Sequence, residues 1–73
     1  MNKVENLNVG LQYFQETIEK IDEMPIIALL KFYGKLKVLE DKAFLLKENS
    51  VIYTVQELEG KIEDKIIKLT YDF

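Results

Sequence analysis

The sequence predicts an α+β fold, with an N-terminal amphipathic helix and a short second helix packed on a small antiparallel β-meander. Three observations predict it. Apolar residues from Val4 to Ile21 recur at alternating steps of three and four. The stretch behind Pro25 is apolar on nearly every side. β-Branched and aromatic residues crowd into Val51-Ile52-Tyr53-Thr54-Val55 and into residues 66–73. The alternative is an all-α three-helix bundle.

The first helix places Val4, Leu7, Leu11, Phe14, Ile18 and Ile21 on one stripe and leaves Glu16, Glu19, Lys20 and Glu23 for its wet side. Gly10 weakens its early turns by up to ~1 kcal/mol. Pro25 ends it, because the residue before a proline is driven out of the α region. Residues 26–33 form the second helix, with Pro25 at its first position, where a missing N–H is harmless, and Gly34 as its stop. Its all-round apolar character marks it for burial between layers or for an interface. Residues 3–33 are therefore expected to be helical.

Residues 35–73 are expected to be antiparallel strands: Lys35-Leu36-Lys37-Val38, then residues 51–55, then residues 66–73. In the last, Ile67, Leu69, Tyr71 and Phe73 alternate with Lys68, Thr70 and Asp72, as on a half-buried pleat. Turns fall at Glu48-Asn49-Ser50 and at Glu59-Gly60 or Glu63-Asp64, where Asn49 and Gly60 accept positive φ. The bundle alternative draws on Val51, Val55, Leu58, Ile62, Ile66, Leu69 and Phe73, which also step by three and four. It adds a Thr54/Glu57 capping box and a Tyr53 to Leu58 staple. Strand preference at Val-Ile-Tyr-Thr-Val and Leu-Thr-Tyr-Asp-Phe decides for the meander.

Residues 37–41 and 46–55 (Lys37-Val38-Leu39-Glu40-Asp41 and Leu46-Lys47-Glu48-Asn49-Ser50-Val51-Ile52-Tyr53-Thr54-Val55) resemble the strands and diverging turn of SH3-like barrels. The resemblance covers about a quarter of the chain and brings no ligand-groove motif, so it implies no function.

A length of 73 residues fits one domain. Apolar residues make up 48% and charged residues 32%, a balance that folds. The margin is thin, because ordering each residue costs ~1.5 kcal/mol and a core of this size returns about that much. Oligomerisation or a partner would widen it. With no cysteine, disulfides and thiolate metal sites are excluded. Met1-Asn2-Lys3-Val4-Glu5 lacks a signal-peptide pattern, and the apolar run at residues 26–30 is far below the ~20 residues that span a bilayer. A soluble cytoplasmic protein without membrane contact is expected.

The net charge is −3, unevenly spread. Residues 1–24 hold two lysines against five acids, residues 25–50 five against three, and residues 51–73 three against five. All ten cations are lysine. Lysine meets phosphate as a point charge and lacks the planar fork that reads guanine, so sequence-specific DNA recognition is disfavoured. A chain free of arginine and rich in Lys, Ile and Asn also suits an AT-rich genome.

Without His or Cys, the commonest general base and the soft nucleophile are both missing. Carboxylate chemistry alone remains, and it needs a cleft that so short a chain has little material to build. The pairs Asp22-Glu23, Glu40-Asp41 and Glu63-Asp64 do not follow a calcium-loop spacing, and Gly10, Gly34 and Gly60 are isolated, so no phosphate loop exists. Neither enzymatic activity nor a metal or cofactor is expected.

Two sets of residues are candidates for binding. Lys31-Phe32-Tyr33-Gly34-Lys35-Leu36-Lys37 interleaves cations with aromatics, as single-strand binders do. The acids Glu16, Glu19 and Glu23, with Glu59 and Glu63, could occupy a basic groove of a target by mimicking nucleic-acid charge. Four Phe, four Tyr, ten Leu and eight Ile, against two Ala, are more bulk than two short layers hide. The surplus should surface as a protein interface. The expected role is a regulator, inhibitor or accessory subunit that binds a larger protein and can form a homodimer, of the kind phages and plasmids often encode. The alternatives are a weak nucleic-acid-associated factor using residues 31–37 and a self-assembling structural subunit.

Overall fold

The computed structural model of the chain describes residues 2–71. They form three α-helices: α1 (Lys3–Thr17), which runs on into a 3₁₀ segment (Ile18–Glu23), α2 (Ile26–Leu45) and α3 (Asn49–Tyr71). The architecture is the all-α bundle. The β-meander expected over residues 35–73 is not formed, and no strand occurs among the described residues. Asp72 and Phe73 lie outside them.

α1 starts as its sequence demands. Asn2 is extended and its side-chain oxygen accepts the Glu5 N–H at 2.8 Å, occupying one of the first-turn donors that has no partner within the helix. The stripe from Val4 to Ile21 spans both α1 and the 3₁₀ segment: Leu7 and Phe14 are buried, and Leu11, Ile18 and Ile21 pack against the core. Pro25 is the N-cap of α2, not its first residue, so the helix starts one position later than expected, at Ile26, with the Pro25 carbonyl accepting from Leu29.

Gly34 does not stop α2, which continues for a further eleven residues to Leu45. A glycine inside a helix costs about 1 kcal/mol. Burying Leu36, Leu39 and Ala43 beyond it contributes more, at roughly 1.5–3 kcal/mol per fully buried aliphatic side chain of leucine size. The real stop is a tight reversal at Leu46 and Lys47. There the Glu48 N–H reaches back to the Ala43 carbonyl and the Lys47 N–H to that of Phe44, which requires Lys47 to sit at φ 57°.

α3 replaces two expected strands because its three-and-four spacing buries one continuous side. Val51, Val55, Leu58 and Ile62 are buried, and Ile66 and Leu69 pack against the core. The competing alternation is split, since Leu69 packs against the core but Ile67 and Tyr71 are exposed. Thr54 is no cap here. It lies within the helix and donates its hydroxyl to the Ser50 carbonyl at 2.9 Å, as Thr70 does to Ile66.

α2 and α3 form an antiparallel hairpin whose shared seam is the main core, and α1 lies along it. Phe14 of α1 meets Phe32 of α2 with ring centroids 5.4 Å apart and planes tilted by 56°. At Gly10 the helices approach so closely that an added Cβ would lie 3.3 Å from Leu39 Cδ1. The result is a rod of 44 × 17 × 16 Å. Among the described residues no helix is long and apolar enough to cross a membrane.

Candidate functional site

Two groups of side chains stand out, on either side of α2. The first is a polar cluster across the α2–α3 seam. Lys37 Nζ lies 3.2 Å from Glu59 Oε1 and 3.5 Å from Glu40 Oε1. Gln56 Nε2 donates to Glu40 Oε2 at 3.1 Å, and the Tyr33 hydroxyl donates to Glu63. The Lys37 ammonium also lies 5.2 Å from the centre of the Tyr33 ring.

Glu59 is only 4% exposed and its second carboxylate oxygen has no hydrogen-bond partner. Burial, with Glu40 close by, pushes its carboxyl above the usual glutamate range, and Lys37 offsets only part of that. Lys37 is itself pushed upward, chiefly by the bond to Glu59. One ammonium serves two carboxylates, so the cation gains from both while the anions divide a single counter-charge. The Glu63 bond, followed by burial, raises the Tyr33 phenol. This cluster fastens α2 to α3. Among the described residues, no group of three or more acidic side chains is arranged to hold a metal ion.

The second group lines a groove between α1 and α2. Three contiguous depressions of about 330, 340 and 220 Å³ run along it, adjoining ones sharing Asn6 and Lys42 or Phe14 and Lys35. The two helices are antiparallel here: Lys3 of α1 lies beside Lys42 and Leu45 of α2, and Thr17 lies beside Ala28 and Lys31. Among the described residues Lys3, Lys31, Lys35 and Lys42 line the groove, and no acidic residue does. None of these lysines is in an ion pair among the described residues.

The expected site residues are divided by this geometry. Lys31 and Lys35 share the groove, whereas Lys37 belongs to the seam cluster, so residues 31–37 do not form one basic surface. Phe32 is core, 7% exposed, and Tyr33 is half-buried. Of the acids, Glu16, Glu19, Glu23 and Glu63 are exposed. Glu16 accepts from Gln12 at 3.3 Å and Glu63 accepts from Tyr33. Glu59 is buried and unavailable to a partner.

Lys3 and Val38 belong to the groove and were not singled out as binding residues from sequence, and Lys42 figured there only as an extension of the 31–37 segment diluted by Glu40 and Asp41. The spacing Lys31, Lys35, Val38, Lys42, Leu45 would have found most of them, had residues 35–38 been read as helix.

No family model matches the chain, and neither curated proteins nor solved structures provide a significant match.

Proposed function

We propose that the chain is a small non-enzymatic interaction module, a regulator, inhibitor or accessory subunit that docks on a larger protein in the cytoplasm. The observation that carries this is the number of large apolar side chains left exposed after the core is built, eleven among the described residues. Leu45 and Tyr71 are each 84% exposed, Tyr53 67%, and Val38 54%. Large apolar side chains standing in water on a chain this short favour association. Tyrosine, prominent among them, is enriched in interfaces. The residue inventory adds support, since no imidazole or thiol is present to do acid–base or nucleophilic work.

The test is capture from a lysate of the native source on the immobilised chain, identification by mass spectrometry, and reconstitution with the purified partner. A saturable complex of fixed stoichiometry in sedimentation is the expected outcome. A chain that captures nothing and sediments as a monomer would refute the proposal. One that grows in mass with its own concentration would instead be a self-assembling subunit.

A further inference from the structure

The geometry points to the α1–α2 groove as a docking site for an acidic amphipathic helix carried by a partner protein. This deepens the interaction-module proposal and rests on it. Charge complementarity identifies the occupant: the chain carries thirteen acids and ten lysines, yet among the described residues four lysines and no acid line this one groove. Four cations gathered, among the described residues, without an ion-pair partner on an anionic molecule make a local positive field that recruits negative charge.

Shape identifies the occupant's form. Lys31, Lys35, Val38 and Lys42 recur at steps of four, three and four along α2, so they form a straight edge. The opposite edge runs the length of α1, about 21 Å, which matches a partner helix of about four turns. Between the edges the floor is apolar and includes Leu7, Phe14 and Leu39. A helix with aliphatic residues on one side and carboxylates flanking them would meet both features.

Other occupants fit less well. A second copy related by a two-fold axis would set these lysines against their own counterparts. A nucleic acid would use the lysines, but Phe14 and Phe32 are buried with their rings packed on each other, which leaves Tyr13 as the one exposed aromatic among the described residues lining the groove, short of the row of rings on which successive bases stack.

The experiment titrates the isotopically labelled full chain, followed by amide NMR, with a synthetic helical peptide of about 18 residues bearing leucine on one face and glutamate elsewhere. Controls are the same peptide with lysine for glutamate and a thymidine oligonucleotide. The expected result is saturable binding of the acidic peptide, with shifts at Asn6, Gly10, Val38 and Lys42. High salt should weaken it, and Lys35→Glu/Lys42→Glu should weaken it at least about tenfold while the helical circular dichroism is unchanged. Lys31→Gln/Lys42→Gln provides a second, milder variant with the same expected direction.

No saturation, equal binding of the lysine peptide, or folded variants that bind as wild type would overturn the inference. So would tighter binding of the oligonucleotide at the same amides, or shifts driven by protein concentration alone. The interaction-module proposal fails separately. A lysate partner retained by both wild type and the Lys35→Glu/Lys42→Glu variant removes the groove and keeps the module.

Discussion

Lys37 of α2 and Glu59 of α3 are joined at 3.2 Å across the helix seam, and Glu59 is buried there with one carboxylate oxygen unpartnered. The bond compensates that burial incompletely. A carboxyl whose folded pKa exceeds its unfolded one binds more protons folded than unfolded. Its contribution to stability is therefore present in acid and is lost as pH rises from the ordinary glutamate range through the raised folded value. Glu59→Gln should be more stable than wild type at neutral pH by about 1 kcal/mol, because the amide keeps an acceptor for Lys37 without the charge. The gap should close on acidification towards the ordinary glutamate pKa. Urea midpoints across that range check it, and a gap that does not change with pH would contradict it.

Lys37→Met removes the cation that both carboxylates share. At neutral pH the loss should be about 2 kcal/mol, below the range for a fully buried pair because the Lys37 side chain is 47% exposed. In the Glu59→Gln background the same change should cost clearly less, since only Glu40 is then stranded. A double-mutant cycle with denaturant unfolding measures the difference, and strict additivity would deny the coupling.

The three glycines all lie within helices yet should respond differently to alanine. An added Cβ meets nothing within 4 Å at Gly34 or Gly60, so each substitution should stabilise by about 1 kcal/mol through helix propensity. At Gly10 the methyl would press on Leu39 Cδ1 at 3.3 Å, and most of that gain should disappear. Thermal midpoints resolve this, because 1 kcal/mol shifts a chain of this length by roughly 4–8 °C.

Lys47→Gly should also stabilise, by about 0.5–1 kcal/mol. Lys47 holds a left-handed conformation (φ 57°) so that α2 can end and α3 begin, and a side chain with a Cβ is strained there. Gains from this variant and from Gly60→Ala should add, the two sites being far apart in sequence and chemically unrelated. A drop in melting temperature for Lys47→Gly would show that the lysine side chain itself has a role at the reversal.

The sequence made α1 legible because one period ran uninterrupted from Val4 to Ile21. It misled beyond Gly34 because two periodicities coexist there. The β-branched residues Val51, Ile52 and Val55 favour a strand locally, but only helical spacing lets Val51, Val55, Leu58 and Ile62 share one buried side. The site was half legible for the same reason. Lys31 and Lys35 were visible as cations, whereas their alignment with Lys42 appears only once α2 passes through Gly34. Glu59 looked like a surface acid by composition. Its place one turn beyond Val55, and beside Leu58 and Ile62 around α3, is what puts it inside.

The slenderness of the rod, 44 Å long but only 17 × 16 Å across, leaves an interior about one side chain deep. Leu36 and Ile62 are nonetheless fully enclosed, so truncating either to alanine would leave an apolar cavity and cost roughly 2–5 kcal/mol. An interior of this kind behaves as a zip fastener: damage at one tooth is felt by its neighbours along the line, and the two ends can loosen without the middle letting go.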